Sequence, residues 1–145
     1  MWHELKNDKD AEQFRQAVWS FHDSCIKEIK YINGFYVNKK YVTHPMNDQR
    51  KLIMKVHRRV DSSSVIELEF TGITFMRFLP DDGKYSCEIL KSKFFFSRGV
   101  VSWCDNDKAE NFEEAAELSR TVIVAGKVRW RTVNSRVSSD TVKDS

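Results

Sequence analysis

The sequence predicts an α+β fold in which an N-terminal helix packs on a strongly bent, mainly antiparallel sheet of about six to eight strands. Three observations lead to this prediction: an amphipathic stripe near the N-terminus, period-2 alternation in later segments, and turn-forming residues between those segments. The strands follow one another closely along the chain, so a meander is the most economical topology.

The helix is predicted from four apolar residues that recur at steps of three and four: Ala11, Phe14, Val18 and Phe21. This spacing places them on one face of an amphipathic helix. Asn7 or Asp8 can cap its start, because either side chain accepts a hydrogen bond from a free backbone N–H. We expect the apolar face to pack on the sheet.

The chain is organised around residues 65–80, which read as two strands that meet at Thr71-Gly72. In the first strand, apolar residues at 66, 68 and 70 alternate with Glu67 and Glu69, which predicts one buried and one solvated face. In the second strand, apolar residues occupy both parities, so both faces require cover. We expect these two strands to form a hairpin.

Further strands are predicted where apolar residues alternate between turn signals: within 21–32, which begins with a turn, and within 35–42, 51–60, 100–104 and 121–131. Residues 87–96 are predicted to form one bent strand or two short ones. Asn33-Gly34 and residues 80–83 supply turns, and residues 43–48 read as a loop. Phe94-Phe95-Phe96 must point to both faces of its strand, so the helix and a second layer or subunit should cover it. The segment from Asp105 to Glu117 is either a solvated loop or a short helix, and a loop with a helical turn is the favoured interpretation.

Composition predicts one domain over residues 1–131, followed by a disordered tail over 132–145 in which Ser, Thr, Asp and Lys predominate. The longest apolar runs are far shorter than the ~20 residues that cross a bilayer. The N-terminal residues lack the apolar region of a secretory signal, and three widely spaced cysteines favour reduced thiols. These features indicate a cytoplasmic protein.

Charge is mild overall, at +3, but it is unevenly distributed along the chain. The stretch from Lys39 to Arg59 holds seven basic residues and one acid, and the segment from Asp105 to Glu117 holds six acids and one lysine. Five of these acids are the predicted contacts for a protein partner: Asp105, Asp107, Glu110, Glu113 and Glu114. An alternative surface is the basic face of the last strand, where Lys127, Arg129 and Arg131 could contact RNA or single-stranded nucleic acid.

A catalytic or metal site receives less support from the sequence. His22, Asp23 and Cys25 are residue types that bind metals, but their spacing matches no standard site, so His22 and Asp23 are weak candidates and no metal is expected. No G-x-S-x-G elbow and no glycine-rich phosphate loop occurs. We therefore expect no cofactor.

Four segments carry a resemblance: residues 21–29, 66–73, 101–103 and 128–131. Together they resemble a family of small uncharacterised bacterial proteins, over most of residues 1–131. The Phe21-His22-Asp23 opening is also similar to that of some immunity proteins from polymorphic-toxin systems. That second resemblance implies a protein that binds and blocks a toxin, and neither resemblance supplies a catalytic residue.

The leading functional prediction is a non-enzymatic intracellular protein-binding module, and the second resemblance implies that its partner is a toxin, as for an immunity protein. A binder of RNA or single-stranded nucleic acid is the alternative, and a small metal-dependent or hydrolytic enzyme around His22 and Asp23 is the third hypothesis. The chain could also form a homo-oligomer through an apolar sheet face.

Overall fold

The structure, a computed structural model, describes residues 1–18, 24–44, 50–58, 65–80, 88–89, 92–106 and 108–133. These residues form an α+β fold with two helices, α1 (Asp8–Val18) and α2 (Phe112–Leu118). The described strands are β1 (His3–Leu5), β2 (Ser24–Ile32), β3 (Tyr36–Val37), β4 (Thr43–His44), β5 (Lys51–His57), β6 (Val65–Thr71), β7 (Phe75–Phe78), β8 (Glu88–Ile89), β9 (Lys93–Ser97), β10 (Val100–Cys104), β11 (Thr121–Ala125) and β12 (Lys127–Val133).

The twelve described strands form three sheets rather than one bent sheet of six to eight strands. The largest sheet has the order β1-β12-β6-β5-β2-β8, the second has the order β7-β11-β10-β9, and β3 pairs with β4 in a separate hairpin. Every described pairing is antiparallel. The antiparallel α+β class is therefore confirmed.

The prediction of a hairpin at Thr71-Gly72 is wrong. β6 pairs with β5 and β12 in the six-stranded sheet, whereas β7 pairs with β11 in the four-stranded sheet. Gly72, at φ +70°, is where the chain leaves one sheet for the other. Gly126 lies at the second crossing, between β11 and β12, and its N–H donates to Thr71 O at 3.0 Å. The two crossings are thus hydrogen-bonded to each other.

The main hydrophobic core joins the two larger sheets. The six-stranded sheet contributes seven side chains that are at most 1% exposed: Leu52, Met54, Val56, Ile66, Leu68, Phe70 and Val128. The four-stranded sheet contributes Val101, Trp103 and Ile123. From α1, Phe14 reaches the ring of Phe94 at 5.6 Å and that of Trp130 at 5.0 Å. Burial of these rings and aliphatic chains is the main source of stability.

A second, smaller core lies between α2 and the other face of the four-stranded sheet. It is built from Cys104, Ala109, Ala115, Val122 and Val124, with Phe95 and Phe112 packed against it. Phe94 and Phe96 belong to the main core, so both faces of β9 are covered. Asn111 caps α2 by accepting the Glu114 N–H at 2.9 Å, and this cap gives a seven-residue helix in place of the predicted loop with one turn.

At the C-terminal side, β12 continues to Val133, two residues past the predicted domain boundary at 131. Residues 134–145, where a disordered tail is predicted, lie outside the described residues. Within the described ranges, no helix is long and apolar enough to cross a bilayer.

Candidate functional site

The predicted solvated face of β6 is buried. Glu67 and Glu69 are only 6% and 8% exposed, so this part of the sequence interpretation is wrong. β12 lies beside β6 in a register that sets Arg131 opposite Glu67 and Arg129 opposite Glu69. Arg129 Nη2 lies 3.0 Å from Glu69 Oε1, and Arg131 Nη2 lies 3.3 Å from Glu67 Oε2. Each carboxylate is thus paired with a guanidinium across the strand pair.

Trp2 lies over both arginines. The guanidinium carbons of Arg129 and Arg131 are 4.2 and 4.3 Å from the centre of a Trp2 ring, which is the geometry of a cation–π contact. The two arginines predicted to bind nucleic acid are therefore ion-paired within the chain, with Glu69 and Glu67, although their own side chains are 43% and 40% exposed. Lys127, the third residue of that prediction, is exposed and stands opposite Thr71.

The predicted acidic partner-binding residues divide into internal and accessible groups. Asp105 is half-buried, its Oδ1 accepts the Arg120 N–H at 3.1 Å, and burial raises the pKa of its carboxyl. Glu114 Oε2 accepts the Glu110 N–H at 2.9 Å, which helps to fix the start of α2. Glu110 and Glu113 are exposed, whereas Asp107 lies outside the described residues.

The predicted metal candidates, His22 and Asp23, also lie outside the described residues. Within the described part of the chain, no group of three His, Cys, Asp or Glu side chains is placed to hold a metal ion. Cys104 is buried, and its Sγ donates to Asn106 O at 3.2 Å. Burial raises the pKa of this thiol, so Cys104 is a poor nucleophile near neutral pH.

The feature that sequence reasoning missed is the aromatic hairpin, residues 35–44, which contains β3 and β4. Five of its side chains are large, apolar and 46–88% exposed: Phe35, Tyr36, Val37, Tyr41 and Val42. Its two strands pair only with each other among the described strands. The available signal was the run of aromatic and β-branched residues that follows Gly34 without polar alternation.

The turn of the aromatic hairpin is built around Asn38. Its Oδ1 accepts the N–H groups of Lys40 and Val42, both at 2.9 Å, and its backbone N–H donates to Val42 O. Tyr41, at φ +63°, occupies the left-handed region that L-residues with a side chain rarely adopt. At the base, the rings of Tyr36 and His44 stack at 4.4 Å with an angle of 6°. The hairpin therefore has a defined conformation.

A second exposed apolar surface lies along β7, at the edge of the four-stranded sheet. Phe75, Met76, Phe78 and Leu79 are each 42–50% exposed. Between them, Arg77 donates to the carbonyl oxygens of Ala116 and Ser119 at the end of α2. A homo-oligomer through an apolar sheet face stays a prediction, and β7 is where such a contact would form.

The aromatic hairpin and β7 are thus the two main exposed apolar surfaces of the described residues. By contrast, several of the charged residues predicted to bind a partner form hydrogen bonds or ion pairs within the chain. Comparisons of the chain with protein-family models, with curated proteins and with solved structures found no match.

Proposed function

We propose that the protein is a non-enzymatic, cytoplasmic protein-binding module that holds its partner with the aromatic hairpin. The observation that supports this proposal is the group of five large, exposed apolar side chains on residues 35–44. Contiguous apolar surface in water is unfavourable by about 25 cal/mol per Å². Surfaces of this kind on a folded domain mark interaction sites, because a partner removes them from water.

The chemistry of the hairpin favours a protein interface. Tyrosine is enriched among the residues that carry most of the binding energy of interfaces, and phenylalanine is enriched in interface cores, since both bury large area and have few rotatable bonds. The Asn38 hydrogen bonds and the Tyr36–His44 stack hold the backbone before binding occurs. A partner therefore meets a preorganised surface, and less conformational entropy is lost when the complex forms.

The conformation of Tyr41 supports the same proposal. This side chain is 88% exposed, and its left-handed backbone costs about 1 kcal/mol in a residue that is not glycine. Asparagine or glycine would occupy the position with less strain. A strained tyrosine that contacts little within the chain is explained if its ring contacts a partner.

Charge indicates what kind of partner fits. Residues 34–44 contain Lys39 and Lys40 and no acidic residue, so the tip of the hairpin is positive. A complementary partner presents an apolar pocket rimmed by acidic side chains, because complementary potentials speed encounter and exclude other partners. The narrower proposal, that the partner is a toxin and the protein is immunity-like, rests on the resemblance of the Phe21-His22-Asp23 opening.

Of the predicted acidic contacts, Glu110 and Glu113 keep exposed carboxylates and could add a second contact region. We rank this region below the hairpin, because exposed ion pairs contribute only about 0–1 kcal/mol each. The acidic residues therefore contribute less binding free energy than the hairpin does and mainly affect which partner is selected.

A second candidate function, binding of single-stranded nucleic acid, is favoured by the same hairpin rather than by β12. Exposed rings of Tyr36 and Tyr41 could stack on bases, and Lys39 and Lys40 could contact phosphates. Such binding weakens steeply as salt rises, because phosphate contacts release counterions. A protein interface centred on apolar side chains is much less sensitive to salt.

The test compares capture by three immobilised full-length proteins: wild type, a hairpin variant with Phe35→Ser and Tyr41→Ser, and the control Leu118→Ser. Leu118 is an exposed apolar residue at the end of α2 and is not part of the hairpin. We expect the wild type to capture one protein partner whose binding persists at high salt. The control should capture the same partner, and the hairpin variant should not. Equal capture by all three proteins, or capture of RNA that moderate salt releases, would contradict the proposal.

A further inference from the structure

A cavity of about 350 Å³ opens where β1, the turn between β9 and β10, and the start of β12 meet. Its apolar lining includes Leu5, Phe96 and Val101, and its cationic lining comprises Lys6, Arg98 and Lys127. The volume lies within the range of about 300–1,000 Å³ that is typical of sites for small molecules.

The charge of this cavity is unbalanced. Its three cations face one carboxylate, Glu4, whose Oε2 lies 3.8 Å from Lys6 Nζ. Among the residues that the structure describes, neither Arg98 nor Lys127 forms an ion pair. By contrast, Arg129 and Arg131 on the same strand as Lys127 are both paired with glutamates. The cavity thus keeps positive charge available to a ligand.

The backbone at Arg98 provides a second, independent observation. Arg98 and Gly99 form the two-residue turn between β9 and β10, with φ values of +51° and +76°. Turns of this type favour asparagine or aspartate followed by glycine, since both central residues adopt left-handed conformations. An arginine is strained at the first position, and residues held in such strain cluster at functional sites.

We propose that this cavity binds a small molecule that carries a phosphate or carboxylate group. The planar guanidinium of Arg98 can donate two parallel hydrogen bonds to either oxyanion. The ammonium groups of Lys6 and Lys127 supply further positive charge, and the apolar lining accommodates the rest of the ligand. This inference does not depend on the function proposed for the aromatic hairpin.

The test uses full-length protein labelled with ¹⁵N, titrated with inorganic phosphate and, separately, with succinate at constant ionic strength. We expect saturable shifts of the backbone amides of Lys6, Arg98, Gly99 and Lys127. Arg98→Asn should weaken binding by about tenfold or more, since it removes the bidentate contact. The melting temperature of this variant should be unchanged or raised, because asparagine tolerates the left-handed backbone.

Two further variants complete the test. Lys127→Gln should weaken binding severalfold and leaves the strained turn unchanged. It therefore tests the cavity even if Arg98→Asn alters the fold. Lys108→Gln changes an exposed lysine outside the cavity and should leave binding unchanged. Tighter binding of phosphate or of succinate identifies which oxyanion the cavity prefers. The proposal is overturned if neither probe gives saturable shifts, or if Arg98→Asn and Lys127→Gln both bind as the wild type does.

Discussion

Glu69 and Arg129 face each other across β6 and β12, and Arg129 Nη2 lies 3.0 Å from Glu69 Oε1 while Glu69 is only 8% exposed. Sixty positions along the sequence separate them. A carboxylate buried to this extent requires a charged or hydrogen-bonding partner, because water no longer solvates it. The neighbouring pair, Glu67 with Arg131, has the same arrangement. Both pairs allow glutamates to be buried on the face of the six-stranded sheet that lies opposite the hydrophobic core.

Arg129→Ala should lower the free energy of unfolding by about 1–3 kcal/mol, since it leaves the buried Glu69 carboxylate without its partner. We expect the lower half of that range, because the Arg129 side chain is 43% exposed and water partly screens the pair. Urea denaturation measures the change. Lys127→Ala, on the same strand but without an ion pair, should change stability by less than about 0.5 kcal/mol. Equal effects of the two substitutions would contradict this account of the cluster.

Asp105 should make stability depend on pH. Burial raises the pKa of its carboxyl above the ordinary value of 3.8, so the folded state binds the proton more tightly than the unfolded state does. The contribution of Asp105 to the free energy of unfolding is therefore fully present below its pKa in the unfolded state, and it is lost as pH rises through its pKa in the folded state. Asp105→Asn should remove this slope and match or exceed wild-type stability at pH 7, because the amide oxygen can still accept the Arg120 N–H.

Urea denaturation of the wild type and Asp105→Asn across the acidic range checks this sign. If the variant were less stable than the wild type by the same amount at every pH, then Asp105 would act through its hydrogen bond alone. The burial argument for the raised pKa would in that case be wrong.

Gly72→Ala should lower the free energy of unfolding by about 1–2 kcal/mol, because φ +70° is unfavourable for a residue with a Cβ. Crowding adds little, since the new Cβ would lie 3.5 Å from Gly126 N, an ordinary contact. Gly126→Ala is the matched control: its Cβ would also make an ordinary contact, 3.6 Å from Thr71 O, but its backbone φ is not in the strained region. Thermal unfolding should show the larger loss at Gly72, and the reverse order would contradict a strained crossing.

Local patterns in the sequence predicted some of the strands. They did not predict β1, they placed Thr43 and His44 of β4 in a loop, and they took residues 121–131 as one strand where the chain forms β11 and β12. The alternation of Ile66, Leu68 and Phe70 correctly identified the apolar face of β6, because burial on one face of a strand imposes a two-residue period. Asn33-Gly34 correctly marked the end of β2, since that dipeptide accepts the backbone of a turn. These predictions succeeded because the residues that determine each feature lie within a few positions of it in the sequence.

Long-range relationships could not be read in the same way. Thr71-Gly72 has the same local chemistry whether the chain turns back in a hairpin or crosses to another sheet, and only pairing with distant β11 and β12 distinguishes the two. Likewise, Glu67 and Glu69 have the pattern of a solvated face until β12 brings arginines beside them. The aromatic hairpin escaped notice because exposure, unlike periodicity, is a property of the folded chain.

The measurement that tests the central claim most directly is the dissociation constant of the captured partner for the wild type and for Tyr41→Asn, with melting temperatures measured in parallel. Asparagine suits the left-handed backbone at φ +63°, so stability should stay equal or rise, while loss of the ring should weaken binding by about tenfold or more. Leu118→Ser should leave the dissociation constant unchanged. Wild-type affinity in Tyr41→Asn would contradict the claim that the aromatic hairpin holds the partner.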